Sequence, residues 1–125
     1  MTIALWCVLV AAVMPIIFAG AAKFGGAPGF NNRRPREFLA KVEGWQQRAH
    51  WTQLNSFEAF PPFAAAVIIA EMLHAAQNKV DLLAVAFIVL RVLYGVAYIA
   101  DRQALRSLSW IAAFGCVIGL FVVAA

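Results

Sequence analysis

Ten side chains of this sequence are Lys or Arg and six are Asp or Glu. Those that bear on chemistry stand inside apolar runs. Arg91 has Leu82 to Leu90 before it and Val92 to Ala100 after it, and Glu58 lies 13 residues before Glu71 on one stretch, about 20 Å along a helix. A charge facing lipid at such a depth costs about 2.5–3.5 kcal/mol, so each should turn inward and find a partner. At about 100° per residue, Arg48, Asn55, Glu58 and Pro62 fall on one helical arc, and Arg91, Tyr94, Tyr98 and Arg102 on another. Arg106, Ser107 and Trp110 open a third segment. Three polar stripes imply one inward-facing pocket, with Glu58 expected to pair with Arg91. Arginine forks bind carboxylates in two-point fashion, Glu58 suits an amino group, and Arg beside a hydroxyl stabilises a thiolate. A ligand with carboxylates, an ammonium and a thiol would use all of these groups, and a phospholipid headgroup would satisfy many of the same donors.

The elements that would hold these residues follow from composition. The chain has 125 residues, 64% hydrophobic and 13% charged, with mean hydropathy +0.81 and a formal charge of +4. Soluble domains carry about a quarter of their residues charged, so a soluble fold, a disordered chain and a soluble nucleic-acid binder are all excluded. The expectation is a single all-α domain over 1–125, an integral membrane four-helix antiparallel bundle. Its helices are placed at about 2–22, 45–74, 80–100 and 105–124, each near the roughly 20 residues a crossing needs, with a polar connector over 23–44. A cleaved signal peptide competes for the first segment, but no basic residue precedes the apolar run. Pro15 should kink the first helix. Gly25-Gly26, Pro28-Gly29 and Asn31-Asn32 mark turns in the connector, and a short helical lead-in is expected from about Glu37. Cys7 and Cys116 read as small hydrophobes, and no metal-ligand spacing is present.

Basic residues orient the bundle. Lys23, Arg33, Arg34, Arg36, Lys41 and Arg48 share a side with Arg102 and Arg106, against Lys79 alone on the other. That distribution puts the connector and the pocket at the cytoplasm and both termini outside. The Arg33-Arg34-Pro35-Arg36 run also suits lipid phosphates.

Gln47-Arg48-Ala49-His50 with Asn55-Ser56-Phe57-Glu58 and Pro62-Phe63 resembles the second-helix signature of the membrane-associated proteins in eicosanoid and glutathione metabolism (MAPEG). Arg91-Val92-Leu93-Tyr94, Tyr98 and Leu105-Arg106-Ser107-Leu108 are similar to the third-to-fourth-helix turn of its prostaglandin synthase branch. The order and spacing of these segments match over essentially the whole chain. The resemblance implies a bacterial member in the inner (cytoplasmic) membrane and a homotrimer with glutathione sites between subunits. The function implied is a membrane-bound glutathione transferase or peroxidase acting on small lipophilic electrophiles, with glutathione as cosubstrate and no metal. Carried over by position, Arg106 with Ser107 would stabilise the thiolate. Lys23, Arg48, Asn55, Glu58, Tyr94, Tyr98 and Arg102 would contact glutathione or shape its site, and Arg91 would pair with Glu58. Tyr94 stands where the prostaglandin branch has a histidine, which argues against that isomerase. Glutathione also has the functional groups that the three polar stripes call for.

Two other readings use the same residues. A non-catalytic trimer of the same fold would bind lipid headgroups or keep a vestigial pocket, with Glu58 and Arg91 as a structural ion pair. A proton-coupled exporter would use Glu58, but a neighbouring Arg opposes the raised carboxyl pKa that mechanism needs.

Overall fold

The computed structural model describes residues 1–26 and 29–125, so Pro28 of the expected Pro28-Gly29 turn lies outside the described residues. Among the described residues five helices follow in order: α1 (Ile3–Phe24), α2 (Pro35–Lys41), α3 (Gly44–Met72), α4 (Gln77–Ile99) and α5 (Gln103–Ala124). No strand occurs among the described residues. The lead-in helix α2 starts two residues before Glu37, because Pro35 with its preset φ opens it. Helix α1 continues through Pro15, and α3 through Pro61 and Pro62. Those two prolines withdraw the donors that the carbonyls of Phe57 and Glu58 would receive in an unbroken helix.

Three helices, α1, α4 and α5, are long and apolar enough by themselves to cross a membrane. The expectation had four such spans. Helix α3, at 29 residues, has ample length, but Gln46, Gln47, Arg48, Thr52, Asn55, Ser56 and Glu58 crowd its first half. Part of that polarity is absorbed locally: Thr52 Oγ donates to the Arg48 carbonyl and Ser56 Oγ to that of Thr52, both at 2.8 Å. The rest needs shelter from the other helices.

Helix α1 packs chiefly on α3, and α4 chiefly on α5. The two pairs meet through α3 and α4, where the rings of Phe63 and Phe87 stack 3.9 Å apart and nearly parallel. Buried alanines, among them Ala4, Ala11, Ala66, Ala70, Ala84 and Ala113, let the backbones approach closely, which is how helices gain packing contacts in lipid. Gly95 does the same for α1 and α4, since a Cβ there would lie 2.2 Å from the Phe18 ring. The outward faces carry Ile16 and Ile17 on α1, Leu82 and Val89 on α4, and Ile111 and Val122 on α5, all largely exposed.

Both turns that join spanning-length helices end a helix with a non-glycine residue in the left-handed region, His74 at φ 53° and Asp101 at φ 61°. The following amides reach back, Ala75 to Ala70 and Arg102 to Ala97, which satisfies carbonyls the helix end would otherwise orphan. Where α1 begins, Thr2 Oγ1 donates to Glu71 Oε1 at 2.5 Å and the Ala4 amide to Asp81 Oδ1 at 2.9 Å. Gln77 Nε2 bridges both carboxylates at 3.0 Å. Two acids thus sit at the positive end of α1 and tie three helices together.

Candidate functional site

The polar half of α3 faces the last turns of α4 and the start of α5. Helix register decides which side chains meet. Arg48 Nε donates to the Ile99 carbonyl at 3.0 Å, and Arg91 Nη2 donates to Asn55 Oδ1 at 2.8 Å. Seven residues forward along α3 therefore match eight back along α4, and Asn55, not Glu58, stands level with Arg91. Among the described residues Glu58 and Arg91 form no direct ion pair. Asn55 lies between them and gives its Nδ2 to Glu58 Oε2 at 3.2 Å. In place of the expected pair stands a relay through an amide, because the register of α3 against α4 sets Asn55 level with Arg91.

Arg91 is 2% exposed, and its guanidinium lies 4.2 Å from the centroid of the Tyr94 ring. Tyr94 meets Tyr98 edge to face at 5.7 Å, and Tyr98 carries the Arg106 guanidinium at 4.6 Å. A ladder of alternating cations and rings runs from the buried Arg91 to the half-buried Arg106. Arg106 has no acidic partner among the described residues. The hydroxyls of Tyr94, Tyr98 and Ser107 likewise make no hydrogen bond there, and no buried side-chain polar atom is left unpaired. Those free donors therefore open onto the cleft.

Three hollows adjoin at Asn55. One, of about 400 Å³, is lined by Tyr94, Tyr98, Arg106, Ser107 and Trp110. A second, of about 380 Å³, is lined by Trp51, Leu54, Glu58, Tyr94 and Tyr98. Both reach the size of a small-molecule site, about 300–1,000 Å³. The third is smaller and mostly apolar.

Six of the residues expected to bind or act, Asn55, Glu58, Tyr94, Tyr98, Arg106 and Ser107, line these hollows together. Three do not. Arg48 is engaged at the end of α4. Lys23 Nζ lies 5.4 Å from the Phe30 ring, beside the aromatic row Phe24, Phe30 and Phe38. Arg102 is exposed and serves as the N-cap residue of α5. The arc that grouped it with Tyr98 assumes a continuing helix, and α4 ends at Ile99. The apolar walls Phe87, Ala113, Phe114 and Val117 were not anticipated, since an apolar residue on a membrane helix carries no mark of facing a cavity.

A family model describing the MAPEG family matches residues 3–125. The chain belongs to the MAPEG family. Neither a curated protein nor a solved structure matches it. MAPEG membership and the three apolar helices together point to an integral membrane protein. Among the described residues, no group of three His, Cys, Asp or Glu side chains is placed to hold a metal.

Proposed function

We propose that this MAPEG protein is a membrane-bound glutathione transferase or peroxidase acting on lipophilic electrophiles, with Arg106 as the thiolate-stabilising group. The observation that carries the reading is Arg106 itself: a cation without an acidic partner among the described residues, seated on Tyr98, beside the Ser107 hydroxyl in a cleft large enough for a small peptide. Both residues sit near the start of α5, where the helix dipole also favours an anion. A sulfur there loses its proton more readily, and the thiolate is the nucleophile. Asn55, Tyr94 and Tyr98 supply neutral donors for the peptide, and Glu58 an acceptor for its ammonium.

Glu58 is exposed on the single chain, as are Trp51, Leu54 and Phe57 around it. A carboxylate on that face would be costly against lipid, which favours a homotrimer in which a neighbouring protomer covers it. In that assembly Lys23, Arg48 and Arg102 reach a ligand held between protomers. The proposal includes a fourth crossing by α3, and the distribution of basic residues supports termini outside and the cleft at the cytoplasm. The test is thermal unfolding of the purified protein in detergent with increasing glutathione. Unfolding should move to higher temperature with the ligand, as binding to the folded state requires. A midpoint indifferent to millimolar glutathione contradicts the proposal and leaves a fold without that activity.

A further inference from the structure

We propose that α2 and the turn before it form a docking surface for the anionic headgroups of a lipid leaflet, with Arg33, Arg36 and Lys41 as the cations that hold them. None of the three lines a hollow at Asn55, so this surface stands apart from the glutathione reading. The level of α2 is fixed by its contacts. Helix α1 has 22 residues and α4 has 23, close to the roughly 20 that one crossing takes. Leu39 of α2 is buried with Ala22, from the last turn of α1, and with Ala49, near the start of α3. Ile99, the last residue of α4, packs against the three. Helix α2 is therefore fastened across the ends of spanning helices, where acyl chains give way to headgroups.

The aromatic residues beside it fit that level. Trp45 packs on Gly25, where a Cβ would lie 1.8 Å from its ring. It still stays 39% exposed, as indoles at the membrane boundary do. Phe24 ends α1 at 73% exposed, and Phe30 and Phe38 continue from it edge to face.

Charge decides what this surface meets. Leu39 and Val42 are buried and Phe38 is half-buried, whereas Arg36, Glu37, Ala40 and Lys41 are exposed. An amphipathic segment with cations on its outer face lies in the interface plane against anionic lipid. Arg34 pairs with Glu37 at 3.5 Å. Among the described residues Arg33, Arg36 and Lys41 make no ion pair, and Glu43 is the one acid over 29–43 left against them. The turn that carries Arg33 into α2 is held by Asn31, whose Oδ1 accepts from the Arg33 amide at 3.0 Å and whose carbonyl accepts from the Arg34 amide at 3.1 Å. The cations thus stand on an ordered platform. The exposed rings favour lipid over an acidic protein, because acyl chains cover the rings while headgroups meet the cations.

Native mass spectrometry of the purified protein in detergent tests the surface, with phosphatidylglycerol and phosphatidylcholine of identical acyl chains offered in equal amounts. A cation near an anionic leaflet contributes up to about fivefold in binding, so three should favour phosphatidylglycerol adducts by about tenfold or more. The preference should shrink as ionic strength rises. The triple variant Arg33→Gln, Arg36→Gln and Lys41→Gln should bring the two lipids near parity, while Lys79→Gln, at the other end of α4, should leave the preference unchanged. Equal adducts of both lipids on the wild type at low ionic strength overturn the docking surface in a measurement that needs no variant. Binding of polyglutamate by a protein that shows no lipid preference would give the surface to an acidic protein instead. A folded triple variant that keeps the wild-type preference overturns the assignment to α2.

Discussion

The two ends of the bundle each gather polar groups and use them in opposite ways. Where α1 begins, Thr2, Glu71, Gln77 and Asp81 close on one another and on the Ala4 amide, and α1, α3 and α4 are tied at a point. Where α1 ends, the relay from Arg91 through Asn55 stops at an exposed Glu58, and Arg106, Ser107 and the two tyrosines keep their outer donors free. Buried polar groups that satisfy one another stabilise an arrangement, while groups left short of partners beside a cavity are available to a ligand. The first end reads as a clamp and the second as a binding cleft.

The largest effect that separates them should come from Arg106→Ala. Removing a group that stabilises charge developing at the reacting atom typically lowers turnover about 100-fold or more. Conjugation should fall by about that factor with little loss of thermal stability, because Arg106 joins no ion pair among the described residues. Next comes Asp81→Ala at the clamp, which strips the cap from the Ala4 amide and half the bridge from Gln77. Losses of this kind run to about 1–2 kcal/mol, so the unfolding midpoint should drop while turnover per folded molecule stays the same. A fall in turnover without a fall in stability would erase the distinction between the ends.

The smallest effect concerns the turn at the cleft. Asp101 is held at φ 61°, a conformation glycine adopts without the steric cost a Cβ brings, and Asp101→Gly should stabilise the protein by up to about 1 kcal/mol. Turnover measured alongside sharpens the comparison. Unchanged activity means the α4–α5 turn only connects, and reduced activity in a more stable protein means its stiffness positions Tyr98 and Arg106.

Helical periodicity made much of this legible in the sequence. Asn55 and Glu58 are three apart on α3, Tyr94 and Tyr98 four apart on α4, and the structure brings both pairs to the same cleft as Arg106 and Ser107. Register was not legible, because periodicity fixes a residue's angle around its own helix and not its height against the next. Angle alone therefore matches Glu58 to Arg91, and height puts Asn55 between them. Positions at helix ends are no more legible from periodicity. Arg102 lies beyond the last turn of α4, and Arg48 is drawn to the carbonyl of Ile99. The clamp escaped notice because Thr2, Gln77 and Asp81 are ordinary boundary residues until tertiary contacts join them. The number of spans shows the same limit: α3 has the length of a membrane helix but a polar first half, and only its neighbours make that half tolerable.

The central claim is that the cleft holds a sulfur as its anion by means of Arg106. Ultraviolet difference spectroscopy of glutathione bound at neutral pH, with the wild type and Arg106→Ala both saturated with ligand, reads this directly. A thiolate band in the wild type that disappears in the variant is the predicted result. Glutathione bound to the wild type as the neutral thiol, or an undiminished thiolate band in Arg106→Ala, would contradict it.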